Sequence, residues 1–167
     1  MIGISIIDEI GEMALSTRLV RLSELIRKDI TQMYMENGLD FESKWFPVLY
    51  VLMKKSPIGI IELADEIGYA HPSVIALVKE MENKKIIKSV ASKTDGRKRM
   101  LSLTPTGTAL IKDLEPLWEN ILKVAKKISD NKNNLLLAIE ETEAVLKEES
   151  FYSRCNKLEL KRNAKRK

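Results

Sequence analysis

A single cysteine, Cys155, and a single histidine, His71, stand among the 167 residues. One thiol cannot close an intrachain disulfide, and so sparse a ligand set excludes the common zinc sites and most nucleophile–base pairs. No glycine-rich phosphate loop is present. Clusters such as Glu140, Glu141 and Glu143 have the spacing of a solvated helix face rather than of paired catalytic carboxylates. The reading is therefore of a protein that is not an enzyme and uses no cofactor or metal. Glycine and proline number only 7 and 5, which favours helices over turn-rich structure. No apolar run approaches the roughly 18 residues that would span a bilayer. The opening "MIGISIIDEIGEM" lacks the basic start of a signal peptide. These absences together point to the cytosol.

What the chain does have is unevenly placed positive charge. Its net charge is only +4, yet residues 84–99 carry seven basic side chains against Asp95, and residues 157–167 carry six against Glu159. The remainder, with 15 basic and 22 acidic residues, is net −7. A focused basic patch on an acidic body suits a polyanion, most commonly nucleic acid. An ordinary solvated face is the alternative on charge alone.

Hydrophobic spacing supplies the elements. Ile10, Leu15, Leu19, Leu22, Ile26, Ile30 and Met33 step by threes and fours, predicting one long helix that ends at Asn37-Gly38, where glycine can take the left-handed conformation. Ser43–Pro57 predicts a second helix on Trp45, Val48, Leu49, Val51 and Leu52, with Pro47 near its start. Gly59–Gly68 predicts a third on Ile60, Leu63, Ala64 and Ile67, and Pro72 opens a fourth on Val74, Leu77, Val78 and Met81, capped by His71. Two short helices joined by a tight glycine-containing turn form a helix-turn-helix. The alternating runs Ile86–Ala91 and Arg99–Leu103 then predict a hairpin, or wing. Thr104-Pro105 starts a helix to about Ile128, bent at Pro116; a turn covers Ser129–Asn134; and a last helix reaches about Leu158 before a frayed basic tail. The fold class is mainly α with a small β-wing: a winged helix-turn-helix domain (43–104) inserted between an N-terminal helix (1–42) and C-terminal helices (105–167).

This order of elements, with "IELADEIGYAHPSVIALVKEMENKKII" and "TDGRKRMLSLTPTG", resembles the multiple-antibiotic-resistance regulator (MarR) family over nearly the whole chain. The most specific likeness is the wing, where Asp95 and Arg97 precede Leu101, Leu103, Thr104 and Gly107. The resemblance implies a homodimeric repressor whose terminal helices interleave and whose winged domains each dock on half of a pseudopalindromic operator. Pairing also suits the physics, since the terminal stripes exceed what the small reading domain can cover. The alternative function is a winged-helix protein-interaction module with little sequence-specific DNA binding.

Several residues are expected to make the DNA interface. Arg97, beside Gly96 at the hairpin tip, suits the negative potential of a narrow minor groove, and the resemblance gives it that place with Asp95 orienting it; the plain alternative is a surface Asp95–Arg97 pair. Lys93, Lys98 and Arg99 suit phosphates, which add salt-dependent affinity but little sequence information. Strand alternation sends Lys98 and Arg99 to opposite faces. On the second helix of the motif Ile75 and Ala76 stand where the family often has threonine and arginine, leaving apolar contacts such as thymine methyls, with His71, Ser73 and Lys79 as the polar residues nearby. Lys85 occupies a position where the family usually has glycine. Met33, Trp45, Phe46 and Met53 would line a pocket for a small lipophilic or aromatic effector, or are simply core. Cys155 lies far from the N-terminal position of the family's peroxide-sensing cysteine, which leaves an inert or interface thiol as its reading.

Overall fold

A computed structural model describes residues 5–92 and 98–164. The chain is mainly helical with one small antiparallel sheet, the winged fold expected above. It divides at Pro116 into two compact units, Met1–Glu115 and Pro116–Lys167.

The first stripe does not form one helix. Helix α1 covers Ile6–Glu9, a 3-10 turn covers Gly11–Ala14, and α2 runs Leu15–Glu36. The break falls at Gly11, whose φ of 57° is accessible to glycine and ends a helix as a C′ residue does. Across it, the Arg21 guanidinium donates to the Asp8 carboxylate, as do the Ser5 amide (3.2 Å) and hydroxyl (3.0 Å). The Arg21 bond chiefly, with the Ser5 donors, holds the Asp8 carboxyl down to about 2. Helix α2 ends as expected. Gly38 (φ 71°) donates its N–H to the Met35 carbonyl (3.0 Å), and Leu39 donates to Tyr34 (2.9 Å). That reciprocal pair satisfies carbonyls the helix end leaves open.

A 3-10 turn at Ser43–Trp45 leads into α3, Phe46–Lys54, which is followed by β1, Ile58–Gly59, and α4, Ile60–Ile67. Helix α5 spans His71–Asn83, and strands β2 (Ile87–Ala91) and β3 (Arg99–Leu103) make the wing. The two-residue strand β1 pairs Ile58 with Leu101 and Gly59 with Met100, giving the sheet order β1-β3-β2. The core of this unit buries Tyr34, Phe41 and Trp45 in successive edge-on contacts, with Val48, Leu49 and Leu52 of α3, Leu63 and Ala64 of α4, Val74, Val78 and Met81 of α5, and Ile87 and Leu101 of the sheet. Helix α6 covers Pro105–Ser129. Its first turn is capped by Thr104, whose hydroxyl accepts the Gly107 N–H (3.0 Å) and donates toward the Lys85 (2.6 Å) and Ile86 (3.0 Å) carbonyls.

Lys85 takes a φ of 57°, a left-handed conformation that costs a non-glycine residue about 1–2 kcal/mol. Lys85→Gly should therefore stabilise the chain by up to about 1 kcal/mol, offset in part by glycine's greater unfolded-state entropy. A urea titration of both proteins checks this, and a less stable variant would contradict it.

In the second unit the last helix is two helices. Helix α7 spans Leu135–Glu148, α8 spans Phe151–Ala164, and Glu149 between them is extended (φ −150°, ψ 123°). The side chains at the break explain it. Arg154 donates to the carbonyls of Val145 (2.9 Å) and Glu149 (3.0 Å), while the Ser150 hydroxyl accepts the Ser153 N–H (3.2 Å). Lys157, with Ser153, lowers the Glu149 carboxyl below its ordinary value. Of the tail expected to fray, residues 159–164 continue α8, since straight-chain Leu, Lys and Arg are good helix formers, and residues 165–167 lie outside the described residues. No described residue of the second unit is buried. Among the described residues, no helix is long and apolar enough to cross a membrane, and no group of His, Cys, Asp or Glu is arranged to hold a metal.

Candidate nucleic-acid interface

The helix-turn-helix is built by α4 and α5. Helix α4 stops because Gly68 adopts φ 74° and donates to the Ala64 carbonyl (2.9 Å). Tyr69 follows as part of the turn, and Ala70 (φ −61°, ψ 137°) is the N-cap of α5, its carbonyl accepting from Ser73 (2.9 Å) and Val74 (3.2 Å). The expectation that His71 caps this helix is thus corrected. His71 is the first residue inside α5, and Pro72 the second, where its missing N–H leaves no interior bond unmade. His71 is exposed.

Burial separates the two faces of α5. Val74, Val78 and Met81 are inside, whereas Pro72, Ile75, Ala76 and Lys79 are exposed at the i, i+3, i+4, i+7 spacing of one helix face. His71 and Ser73 flank this face and are exposed. The orientation of α5 is held from behind. Glu80 accepts the Trp45 indole N–H (2.8 Å) and pairs with Lys44 (2.8 Å), which also reaches Glu42 (3.1 Å). Lys44 first, then the indole, lowers the Glu80 carboxyl, and Glu80 in turn raises the Lys44 ammonium. Trp45 itself is 2% exposed. Sequence spacing marked Trp45 as apolar but gave no sign of its hydrogen bond to a residue 35 positions on.

The wing follows directly, as the Ile86 N–H donates to the Met81 carbonyl at the end of α5 (3.0 Å). Its ladder pairs Ile87 with Leu103, Ser89 with Leu101 and Ala91 with Arg99, and the Ser92 N–H continues it to the Lys98 carbonyl (2.8 Å). Lys93, Asp95 and Arg97 lie outside the described residues. Lys98 is exposed. Arg99 shares the sheet face of Leu101 and Ile87, and its guanidinium donates to the hydroxyl of Ser89 and to the Ser89 carbonyl (3.0 Å). Arg99 is therefore engaged with its own sheet, whereas Lys88, on the opposite face of β2, is exposed and was not singled out from the sequence.

The four residues considered for an effector pocket are placed differently from one another. Trp45 is core; Met33 and Met53 are half-buried; Phe46 is exposed and lies against Tyr50, with ring centres 5.4 Å apart. Of these four, Trp45 lines a concavity of about 330 Å³ with Lys44, Glu80 and Lys84, and two further concavities among the described residues have other linings. One of about 460 Å³ lies between α2 and the 3-10 turn at 43–45, lined by Arg27, Lys28, Thr31 and Lys44 among others, and one of about 540 Å³ lies along Leu15, Leu19, Leu22 and Leu25. Cys155 is exposed on α8.

No protein-family model matches this chain, and no curated protein sequence does. Solved structures do match. The PcaV transcriptional regulator from Streptomyces coelicolor, in complex with its natural ligand, aligns with a TM-score of 0.66 at 15% identity over 88% of this chain and 98% of its own. The MepR–DNA complex of S. aureus gives 0.65 at 17% over 78% and 95%, and the transcriptional regulator MosR of M. tuberculosis in complex with DNA gives 0.66 at 18% over 80% and 94%. At these identities the likeness is one of fold, and it covers 78–88% of this chain.

Proposed function

We propose that this chain is a homodimeric DNA-binding transcriptional regulator, of the repressor type that the MarR resemblance implies. In this reading residues 43–104 read a pseudopalindromic duplex, residues 1–42 and 105–167 pair with a second copy, and a small lipophilic or aromatic effector releases the DNA. The observation that carries it is the exposed face of α5, presented by a helix-turn-helix beside a basic wing. Pairing is supported by apolar side chains left uncovered in the single chain, including Leu15 (53% exposed), Leu25 (59%) and Val124 (59%). A second copy would bury them. Two recognition helices in a symmetric dimer would then meet the major groove about 34–36 Å apart, one turn of DNA.

A gel shift with duplex from upstream of the protein's own gene, repeated over a salt series, tests the reading. The expected result is a saturable, sequence-selective complex whose affinity falls steeply with salt as phosphate-bound counterions return. Arg97→Ala should weaken it at least about tenfold, equivalent to ~1.4 kcal/mol, as befits loss of a groove-inserted arginine. Lys157→Ala, on α8 and paired with Glu149, should change it little. Equal affinity of the Arg97 variant would remove Arg97 from the interface, and a sedimentation mass of one chain at working concentration would refute the dimer.

A further inference from the structure

The centre of the exposed α5 face is unusual for a reader of hydrogen-bonding edges. Its first three members, Pro72, Ile75 and Ala76, carry no side-chain donor or acceptor, and Lys79 comes one turn later. Ile75 is 40% exposed although the core begins one residue away at Val74, with 0% exposure. The described residues leave it open to this extent, and the charged network through Glu80 on α5 is directed to Lys44 and Trp45. In helix-turn-helix docking the N-terminal residues of the second helix are those that reach base edges. Of the four bases only thymine presents an apolar group in the major groove, its C5-methyl, and a branched aliphatic side chain matches that group.

We infer that Ile75, with Ala76, is a specificity-determining contact that selects thymine methyl groups in each half of the bound duplex. The inference rests on the DNA-binding reading and names the chemistry by which that site chooses its sequence. A duplex is favoured as occupant over a protein surface by the charge nearby in the chain: Lys79 on α5, Lys85 in the turn after it, and Lys88 and Lys98 of the wing are all exposed. Exposed cations on the same helix and in the segments that follow it suit phosphates flanking a methyl-bearing groove. Discrimination then comes from burying methyl against methyl. Removing one such carbon corresponds to about a fourfold loss of affinity.

The experiment uses the full-length protein and a duplex selected by it from a random-sequence library. The selected duplex is resynthesised with deoxyuridine replacing thymidine one position at a time, which removes the methyl and leaves every hydrogen-bonding edge intact. Fluorescence anisotropy at fixed salt then gives each affinity. The expected result is a loss of about fourfold at one or two thymines of each half-site. Ile75→Ala, which truncates the contact in both subunits, should lose at least about sixteenfold on the thymidine duplex, a fourfold loss for each half-site, and show little further loss on the deoxyuridine duplex, because the two changes remove opposite sides of one contact. Since Ile75 lies on the surface, its truncation leaves the core intact; an unchanged melting temperature confirms that. Equal binding of every deoxyuridine duplex, full discrimination by Ile75→Ala, or selected sequences devoid of thymine opposite α5 would each overturn the inference while leaving DNA binding in place. Failure of the regulator reading is distinguishable: no duplex is enriched and no complex forms, and the assignment of Ile75 falls with it. A salt-insensitive complex with a protein partner that is lost on Ile75→Ala would also overturn it, in favour of a protein-binding face.

Discussion

Trp45→Ala should lower the free energy of unfolding by about 3–5 kcal/mol, the usual cost of emptying a buried tryptophan site. The expectation rests on burial and two contacts made at once. The ring is 2% exposed, meets Phe41 edge-on with centroids 5.8 Å apart, and donates its N–H to Glu80 of α5 at 2.8 Å. Trp45→Phe separates the terms. It keeps most of the apolar volume but strands the Glu80 acceptor, which is partly exposed and able to turn to water, so about 1 kcal/mol should be lost. Urea titrations at one fixed protein concentration measure both, since an associating chain has concentration-dependent stability. An alanine variant within 1 kcal/mol of the parent would mean that the 3-10 turn bearing Trp45 does not anchor α5.

Gly107→Ala should be nearly as damaging, by at least about 2 kcal/mol, although it adds a single carbon at the start of a helix. A Cβ there would stand 2.1 Å from the Ile86 carbonyl oxygen and 3.1 Å from its carbon. That carbonyl has little freedom to retreat, because it already accepts the Thr104 N–H (3.1 Å) and hydroxyl (3.0 Å), and Ile86 is 3% exposed. Overpacking against fixed backbone typically costs about 1–3 kcal/mol and occasionally more. The neighbouring Thr106→Ala, at an exposed position, should stay within about 0.5 kcal/mol. Comparable melting temperatures for the two variants would contradict the close approach of wing and helix.

Gly107 also shows why a motif can be visible before its reason is. The Thr104-Pro105 start was readable, because a capping hydroxyl and a first-position proline act within one helical turn. The glycine two residues on was noticeable only by resemblance; its cause is a carbonyl 21 positions earlier. Gly11 makes the opposite case. It ends α1 just as Gly38 ends α2, yet an apolar stripe running through it suggested continuity, and spacing alone does not say where the backbone turns left-handed. The α7–α8 break escaped for a similar reason. Arg154 reads as a surface cation until its guanidinium is found on the carbonyls of Val145 and Glu149. Strand β1 is two residues long, and only the unpaired edge of β3 makes it a strand.

The candidate interface divides in the same way. Ile75, Ala76 and Lys79 could be placed on one face by helical spacing, and Ile75 and Ala76 stood out by their departure from the pattern of the family the chain resembles. His71 was misplaced by one position, from cap to first turn, because Ala70 supplies the extended conformation with no side-chain signal. Arg99 was grouped with the phosphate contacts on charge; its two bonds to Ser89 come from cross-strand register, which decides which side chains meet.

By itself the sequence determined the helices, most of their stops and the alternating wing, because each depends on residues within a few positions: i to i+4 bonding, local caps, a glycine free to turn left-handed, a two-residue strand period. Tertiary structure decided what those elements present. The burial of Val74 beside an open Ile75, the tether of Trp45 to Glu80, the left-handed Lys85 and the carbonyl that forbids a side chain at Gly107 all arise where distant segments pack. Their energies depend on distances between those segments, and a linear pattern does not contain such distances.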